Sequence, residues 1–267
     1  MTADPDTDSP SPPLVSIVIA TYARCDRLQR CIAALRANVR ISHETIDVGG
    51  GAGDGTEEWV AQQRDIRFIR ETRREGATRA YNKGFRAARG TYVMWLNDDS
   101  YPLPGSIEAA VEMIRHPANA DVGIVAFYHN FDRRWNRLDS VERDGVTYGI
   151  FNVRGFTYAN FALLRGDLLA RLGYLDERYY FCAWDPDLSL KVQREAGLLV
   201  LGCRDALVYH EELIDDRKQQ DSAIIDEDNA KLFAKWNLPA KCSYPDPAPA
   251  YQRLLRERAA RTAAAAT

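Results

Sequence analysis

No two cysteines stand in a C-x-x-C spacing, and the five present (Cys25, Cys31, Cys182, Cys203 and Cys242) are odd in number and scattered. That argues against a disulfide framework and against a zinc knuckle, and it fits a reducing, cytoplasmic setting. Neither sign of charge dominates: 35 Lys and Arg face 38 Asp and Glu, a net −3. No global field therefore draws in nucleic acid or an anionic membrane. No window approaches the roughly 18–20 consecutive apolar residues needed to span a bilayer. The start, MTADPDTDSPSPP, has neither the basic residues nor the apolar stretch of a signal peptide, and residues 1–13 read as an acidic, disordered tail. At the other end, YQRLLRERAARTAAAAT has four Arg against one Glu. It can lie as a short helix on acidic lipid at the inner face of the membrane, or fray in solvent.

What is present is an ordinary globular composition, 46% hydrophobic over 267 residues, enough for one large domain or two small ones. LVSIVIATY is a β-branched run of strand length, and DRLQRCIAALRANV after it carries apolar residues at helical spacing. The unit recurs in ETIDVGG with DGTEEWVAQQR, in IRFIRE with GATRAYNKGFRAARG, and in YVMWLND with PGSIEAAVEMIRH. Strands alternating with helices predict an α/β fold, a mostly parallel sheet covered on both faces, with ligands collecting outside the carboxyl ends of the strands. From about 130 to 165 the alternation lapses, which predicts a small antiparallel portion. GDLLARLG and DPDLSLKVQREAG read as helices and LLVLGCRDALVYH as a last pair of strands. EELIDDRKQQDSAIIDED, polar and charged, reads as a loop able to order on ligand binding, with 211–225 as its lid portion.

Three stretches carry chemistry. In YVMWLNDDSYPLP the amide Asn97 and the acids Asp98 and Asp99 close a strand fit for a core. Adjacent carboxylates repel, so they need a cation, a hydrogen-bond network or bulk water. The pleat puts Asn97 and Asp99 on one side and Asp98 on the other. Such residues also suit a turn before PLPG; the alternative is a hard divalent cation shared with ligand phosphates. In FCAWDPDLSLKVQREAG, Asp185 and Asp187 flank Pro186 at a helix start, where they can cap the helix. An exposed Trp184 beside them would instead stack on a sugar whose hydroxyl gives its proton to the acid. His210, closing VYH, is either structural or a metal ligand.

In this order, VSIVIATY, E-x-I-D-V-x-x-G-x-x-D-G-T-x-E-W, YVMWLNDD with PLPG, ANFALLRGDLLARLGYLDERYY, and WDPDLSLKVQREAG with VYH resemble the family 2 glycosyltransferases over roughly residues 14–211. The resemblance implies a GT-A fold, a Rossmann-like sheet flanked by helices. It implies one domain over 14–237, with a nucleotide-sugar half at 14–129 and an acceptor half, partly antiparallel, at 130–237; residues 238–267 are then an extension. It implies an inverting transfer of sugar from a nucleoside-diphosphate donor to a hydroxyl on a saccharide, lipid carrier or small molecule, dependent on Mn²⁺ or Mg²⁺. Asp99 and His210 would bind the metal, Asp98 the ribose or sugar, and Asp185 would be the general base, with Trp184 and Asp187 on the acceptor side. Thr21, Tyr22 and Arg24 would cradle the nucleotide; Arg79 and Asn82 would contact base or phosphate, or lie on a solvated helix face. Two departures stand out. Gly49 replaces the acid that the family places against the pyrimidine, leaving backbone N–H groups but no carboxylate. Asn97 replaces the first acid of D-x-D. A noncatalytic binding or scaffold protein on the same fold is the alternative these departures suggest. A nucleotidyltransferase lacks support, because TYARCDRL stands where its basic glycine-rich loop would follow the first strand.

Overall fold

A computed structural model describes residues 11–131, 134–211, 222–239 and 247–265. Eight strands form one path across the sheet, in the order β3 (Ile66–Arg70), β2 (His43–Gly49), β1 (Val15–Thr21), β4 (Tyr92–Asn97), β10 (Ala162–Arg165), β6 (Val122–His129), β11 (Leu199–His210) and β5 (Ser100–Pro102). The parallel half is β1, β2, β3 and β4. β10 runs antiparallel to both β4 and β6, so β6 regains the direction of β4. The last long strand, β11, lies parallel to β6, and the short β5 pairs antiparallel on its outer edge. β7 (Arg137–Arg143), β8 (Val146–Val153) and β9 (Phe156–Tyr158) form the expected antiparallel portion, joined to the path where His129 pairs with Gly149.

Both faces are covered, which is why β1 is buried along nearly its whole length instead of alternating. α3 (Ala77–Ala87) packs across β1 and β2, and Gly84 permits the approach, since a Cβ there would lie 2.2 Å from Val18 Cγ1; α1 (Cys25–Asn38) packs against β5. α2 (Thr56–Val60), α4 (Ser106–Arg115), α5 (Gly166–Arg171) and α6 (Trp184–Arg194) follow in order. Two more helices complete the described chain, α7 (Ser222–Trp236) and α8 (Ala248–Ala265).

Three expectations change. LLVLGCRDALVYH is one strand, because its register on β6 slips between Cys203 and Leu207 and the exposed Arg204 and Asp205 occupy the bulge. The end of the charged stretch after His210 is helical from Ser222, and residues 212–221 lie outside the described residues, as do 1–10 of the expected tail. Nor does the C-terminal segment fray. Tyr251 accepts the Gly202 N–H at 2.7 Å, and Arg258, buried, donates to both Asp121 oxygens at 2.7 and 2.5 Å. No helix among the described residues is long and apolar enough to cross a membrane.

Topology positions the site. The carboxyl ends of β1, β2, β4, β6 and β11 all open on the same edge. From β4 to β5 a flat sheet would span four strand spacings, about 19 Å, whereas the three steps from Asn97 to Ser100 reach at most about 11 Å. The sheet must therefore curl, and Asp98 and Asp99 lie across the mouth that the curl creates.

Candidate active site

The pleat that separates Asp98 from Asp99 in an ideal strand stops at Asn97, so both carboxylates turn to one cation. That cation is Arg24, the residue preceding α1. Its Nη1 lies 2.6 Å from Asp99 Oδ2 and 3.3 Å from Asp98 Oδ1. The other Asp99 oxygen is 3.0 Å from His210 Nε2, an encounter fixed by the pairing of His210 with Ser100. All four side chains are at most 6% exposed. Burial alone would raise the Asp99 carboxyl, but hydrogen bonding and charge from His210, with the Arg24 guanidinium, outweigh it and hold Asp99 at about 2. Phe131 and Phe161 wall the imidazole, with ring centroids 5.0 and 5.4 Å from it. Asn97 accepts from the Tyr81 hydroxyl at 2.9 Å.

Asp99 and His210 supply a hard oxygen and an imidazole nitrogen, donors that suit Mn²⁺ or Mg²⁺. Among the described residues no group of three His, Cys, Asp or Glu side chains is placed to hold a metal. These two side chains fit part of a divalent ion's shell, and phosphate oxygens or water would have to complete it.

Asp185 lies in the first turn of α6. It is half-buried and accepts from Asn160 Nδ2 at 2.8 Å, while the Asn160 carbonyl takes the Trp95 indole N–H at 2.7 Å. Burial raises the Tyr81 hydroxyl far above its ordinary value, and the charges of Asp98, Asp99 and Asp185 all add to that rise. The Tyr81 ring packs against Trp184, the neighbour of Asp185, and its hydroxyl donates to Asn97, the neighbour of Asp98. Asn160 escaped sequence reasoning because one asparagine in ANFALLRG announces nothing.

The two neighbours of Asp185 behave otherwise than expected. Trp184 is not an exposed platform: 6% accessible, it packs its ring 4.7 Å from Tyr81 and 5.6 Å from Trp95. Pro186 and the helix start turn it inward, where three aromatic rings exclude water. Asp187 is 1% exposed and holds α7 in place, accepting from Trp236 Nε1 at 2.7 Å, Lys235 Nζ at 2.8 Å and the Tyr179 hydroxyl at 3.2 Å. Neither can touch an acceptor as placed.

On the β1–β2 side, Thr21 donates to Asp47 Oδ1 at 2.9 Å. Position 49 has no room for a side chain, because a Cβ on Gly49 would sit 2.5 Å from the Thr21 carbonyl oxygen. The glycine stretch is not a loose cradle either, since the Gly51 N–H is bound by Glu57 Oε1 at 3.0 Å. Tyr22 is half-buried with the Arg74 guanidinium 5.4 Å over its ring, and Arg74 also reaches Tyr180 and Phe181, giving this rim stacking surface and positive charge. Arg79 and Asn82 do other work. Arg79 is exposed and pairs with Glu177 at 3.6 Å, and the buried Asn82 amide is consumed by Leu175 and Glu177.

A curled α/β sheet with an acid pair, an imidazole and a further carboxylate at its carboxyl edge has the architecture of the GT-A glycosyltransferases. The sequence matches the family described as glycosyl transferase family 2 over residues 16–173, more than half of the chain, and the protein belongs to that family. It is 29% identical over 212 residues to the uncharacterized glycosyltransferase EpsJ of Bacillus subtilis, covering 74% of this chain and 61% of EpsJ. It is 28% identical over 142 residues to the succinoglycan biosynthesis protein ExoO of Rhizobium meliloti, covering 52% of this chain and 37% of ExoO. The chain thus spans about three-fifths of EpsJ and less of ExoO. Among solved structures, the mannosyltransferase PcManGT of Pyrobaculum calidifontis, in complex with GDP-Man and Mn²⁺, superposes with a TM-score of 0.62 at 22% identity, over 96% of this chain and 74% of that one. TarS of S. aureus gives 0.58 at 15%, over 86% and 67%. At these identities the likeness shows the fold.

Proposed function

We propose that the protein is an inverting glycosyltransferase that moves a sugar from a nucleoside-diphosphate donor to a hydroxyl of a saccharide, lipid carrier or small molecule. The observation that supports this reading is the buried cluster of Asp98, Asp99 and His210 at the carboxyl edge of one sheet, with Asp185 held by Asn160 at the start of the helix whose Trp184 packs on Tyr81. Asp185, oriented by Asn160, accepts the proton of the attacking hydroxyl. The hydroxyl oxygen bonds to the anomeric carbon from the face opposite the diphosphate, and the electron pair of the breaking bond leaves with that diphosphate. Asp99 and His210 would hold a divalent cation, which when bound supplies Lewis-acid stabilisation of the leaving diphosphate. Thr21, Tyr22 and Arg24 line the donor side. The Mn²⁺ and nucleotide sugar of PcManGT support the same chemistry here.

Replacing Asp185 by Asn leaves the Asn160 contact a carbonyl partner and removes the base. Binding of a nucleoside diphosphate should persist while transfer falls by about a hundredfold or more. Near-normal turnover in that variant would eliminate the assignment. The rival noncatalytic reading draws on Gly49, where no acid can stand. Hydrolysis of a nucleotide sugar by the parent protein, lost in Asp185→Asn, would rule it out; a folded parent that leaves every nucleotide sugar in a panel intact would favour it.

A further inference from the structure

Both Asp99 oxygens are already engaged by other side chains. Oδ1 faces His210 and Oδ2 faces the Arg24 guanidinium, which also touches Asp98. Two adjacent buried carboxylates need a cation, and the chain supplies its own. We propose that Arg24 is a built-in competitor for the divalent cation: it occupies the acid pair when no metal is bound, and it must swing away when one arrives.

Several features make the exchange physically reasonable. The main chain of Arg24 is fixed, since its carbonyl accepts the N–H groups of Arg27 and Leu28 at 3.0 Å each and so starts α1; only the side chain has to move. The surroundings stay tied down while it does. Glu211 N–H donates to the Asp99 carbonyl at 2.9 Å, and the Glu211 carboxylate is clamped by Arg27, Arg30 and the Tyr101 hydroxyl. Arg27 and Arg30 follow Arg24 at helical spacing but are engaged by Glu211, which leaves Arg24 as the arginine of this face that meets the acid pair. A displaced guanidinium at the carboxyl end of β1 is well placed for an arriving diphosphate, whose oxygens it can bind in bidentate fashion. Metal and donor would then bind with positive coupling, because each removes the other's cost of freeing Arg24.

The inference rests on the metal reading above, and one experiment separates the two. Mn²⁺ binding, without nucleotide, is followed by electron paramagnetic resonance in the full chain, in Arg24→Met and in Asp99→Asn. A competitor predicts that Arg24→Met binds Mn²⁺ about tenfold more tightly or better than the parent, while Asp99→Asn loses binding. Affinity unchanged or weakened in Arg24→Met, with Asp99→Asn still defective, overturns the competition and leaves the metal site standing. No Mn²⁺ binding by either the parent or Arg24→Met overturns both. Should Arg24→Met not fold, arginine side-chain NMR of the parent decides. Mg²⁺ should shift the Arg24 resonances and speed exchange of its guanidinium protons, and an unchanged Arg24 signal at saturating Mg²⁺ overturns the inference.

Discussion

Fully buried in the middle of β2, Asp47 accepts from Thr21 through Oδ1, and its Oδ2 has no hydrogen-bond partner among the described residues. Burial pushes its carboxyl from 3.8 up to about 7, against the lowering effect of the Thr21 hydroxyl and with help from Asp98 and Asp54. A native-state value above the unfolded one means that the folded protein binds this proton more tightly. The contribution to stability is therefore intact below about pH 4, falls between pH 4 and 7, and is lost above 7. Asp47→Asn should flatten that decline and make the protein more stable at pH 8 by about 2–4 kcal/mol. Urea unfolding of both proteins at pH 5 and pH 8 checks this; parallel pH profiles would refute it. In sequence Asp47 looks like a polar residue in a strand, and nothing in E-T-I-D-V marks it as buried. Its burial comes from its place inside the sheet, between β1 and β3, with Thr21 of β1 against its carboxyl. Gly49 was legible as a departure, but that the Thr21 carbonyl forbids any side chain there was not.

At the scale of elements, α7 holds the segment that leads into α6 and Asp185. Its Asp228, with no exposed surface, accepts the successive N–H groups of Tyr180, Phe181 and Cys182 at 2.8–3.2 Å and pairs with Lys231. Those residues lead directly into α6. Asp228→Ala removes the common acceptor of three backbone donors, and Asp185 should lose its orientation before the fold is lost. We expect kcat to drop by about tenfold or more with the donor KM little changed; a variant that loses donor affinity and keeps kcat would show that α7 serves another purpose. The stretch holding Asp228 reads in sequence as charged loop, because its apolar stripe is weak. Its helical state depends on partners supplied by other elements: Asp228 to the 180–182 backbone, and Lys235 and Trp236 to Asp187. Such pairings have no local signature. The opposite error at Trp184 has the same origin, since exposure is a property of what packs around a residue.

For the whole molecule, α8 closes the structure on the side away from the mouth. The Tyr251 hydroxyl accepts the Gly202 N–H from β11, the strand that ends in His210. Tyr251→Phe strands that buried donor and should cost about 1–3 kcal/mol, read as a lower urea midpoint with an unchanged slope. A midpoint within error of the parent would mean that α8 contributes little to the hold on β11. The strand–helix alternation of the first half of the chain, the parallel half of the sheet and the places of Asp99 and His210 at strand ends were determined by the sequence alone. They follow from apolar periodicity, turn residues and a family pattern, all of which are local along the chain. What only the tertiary structure decided is which partners meet across it: Arg24 on the acid pair, Asn160 on Asp185, Asp228 beneath the 180–182 backbone. The curl of the sheet sets those contacts, and curl is the summed twist and packing of many elements, which no single stretch of sequence encodes.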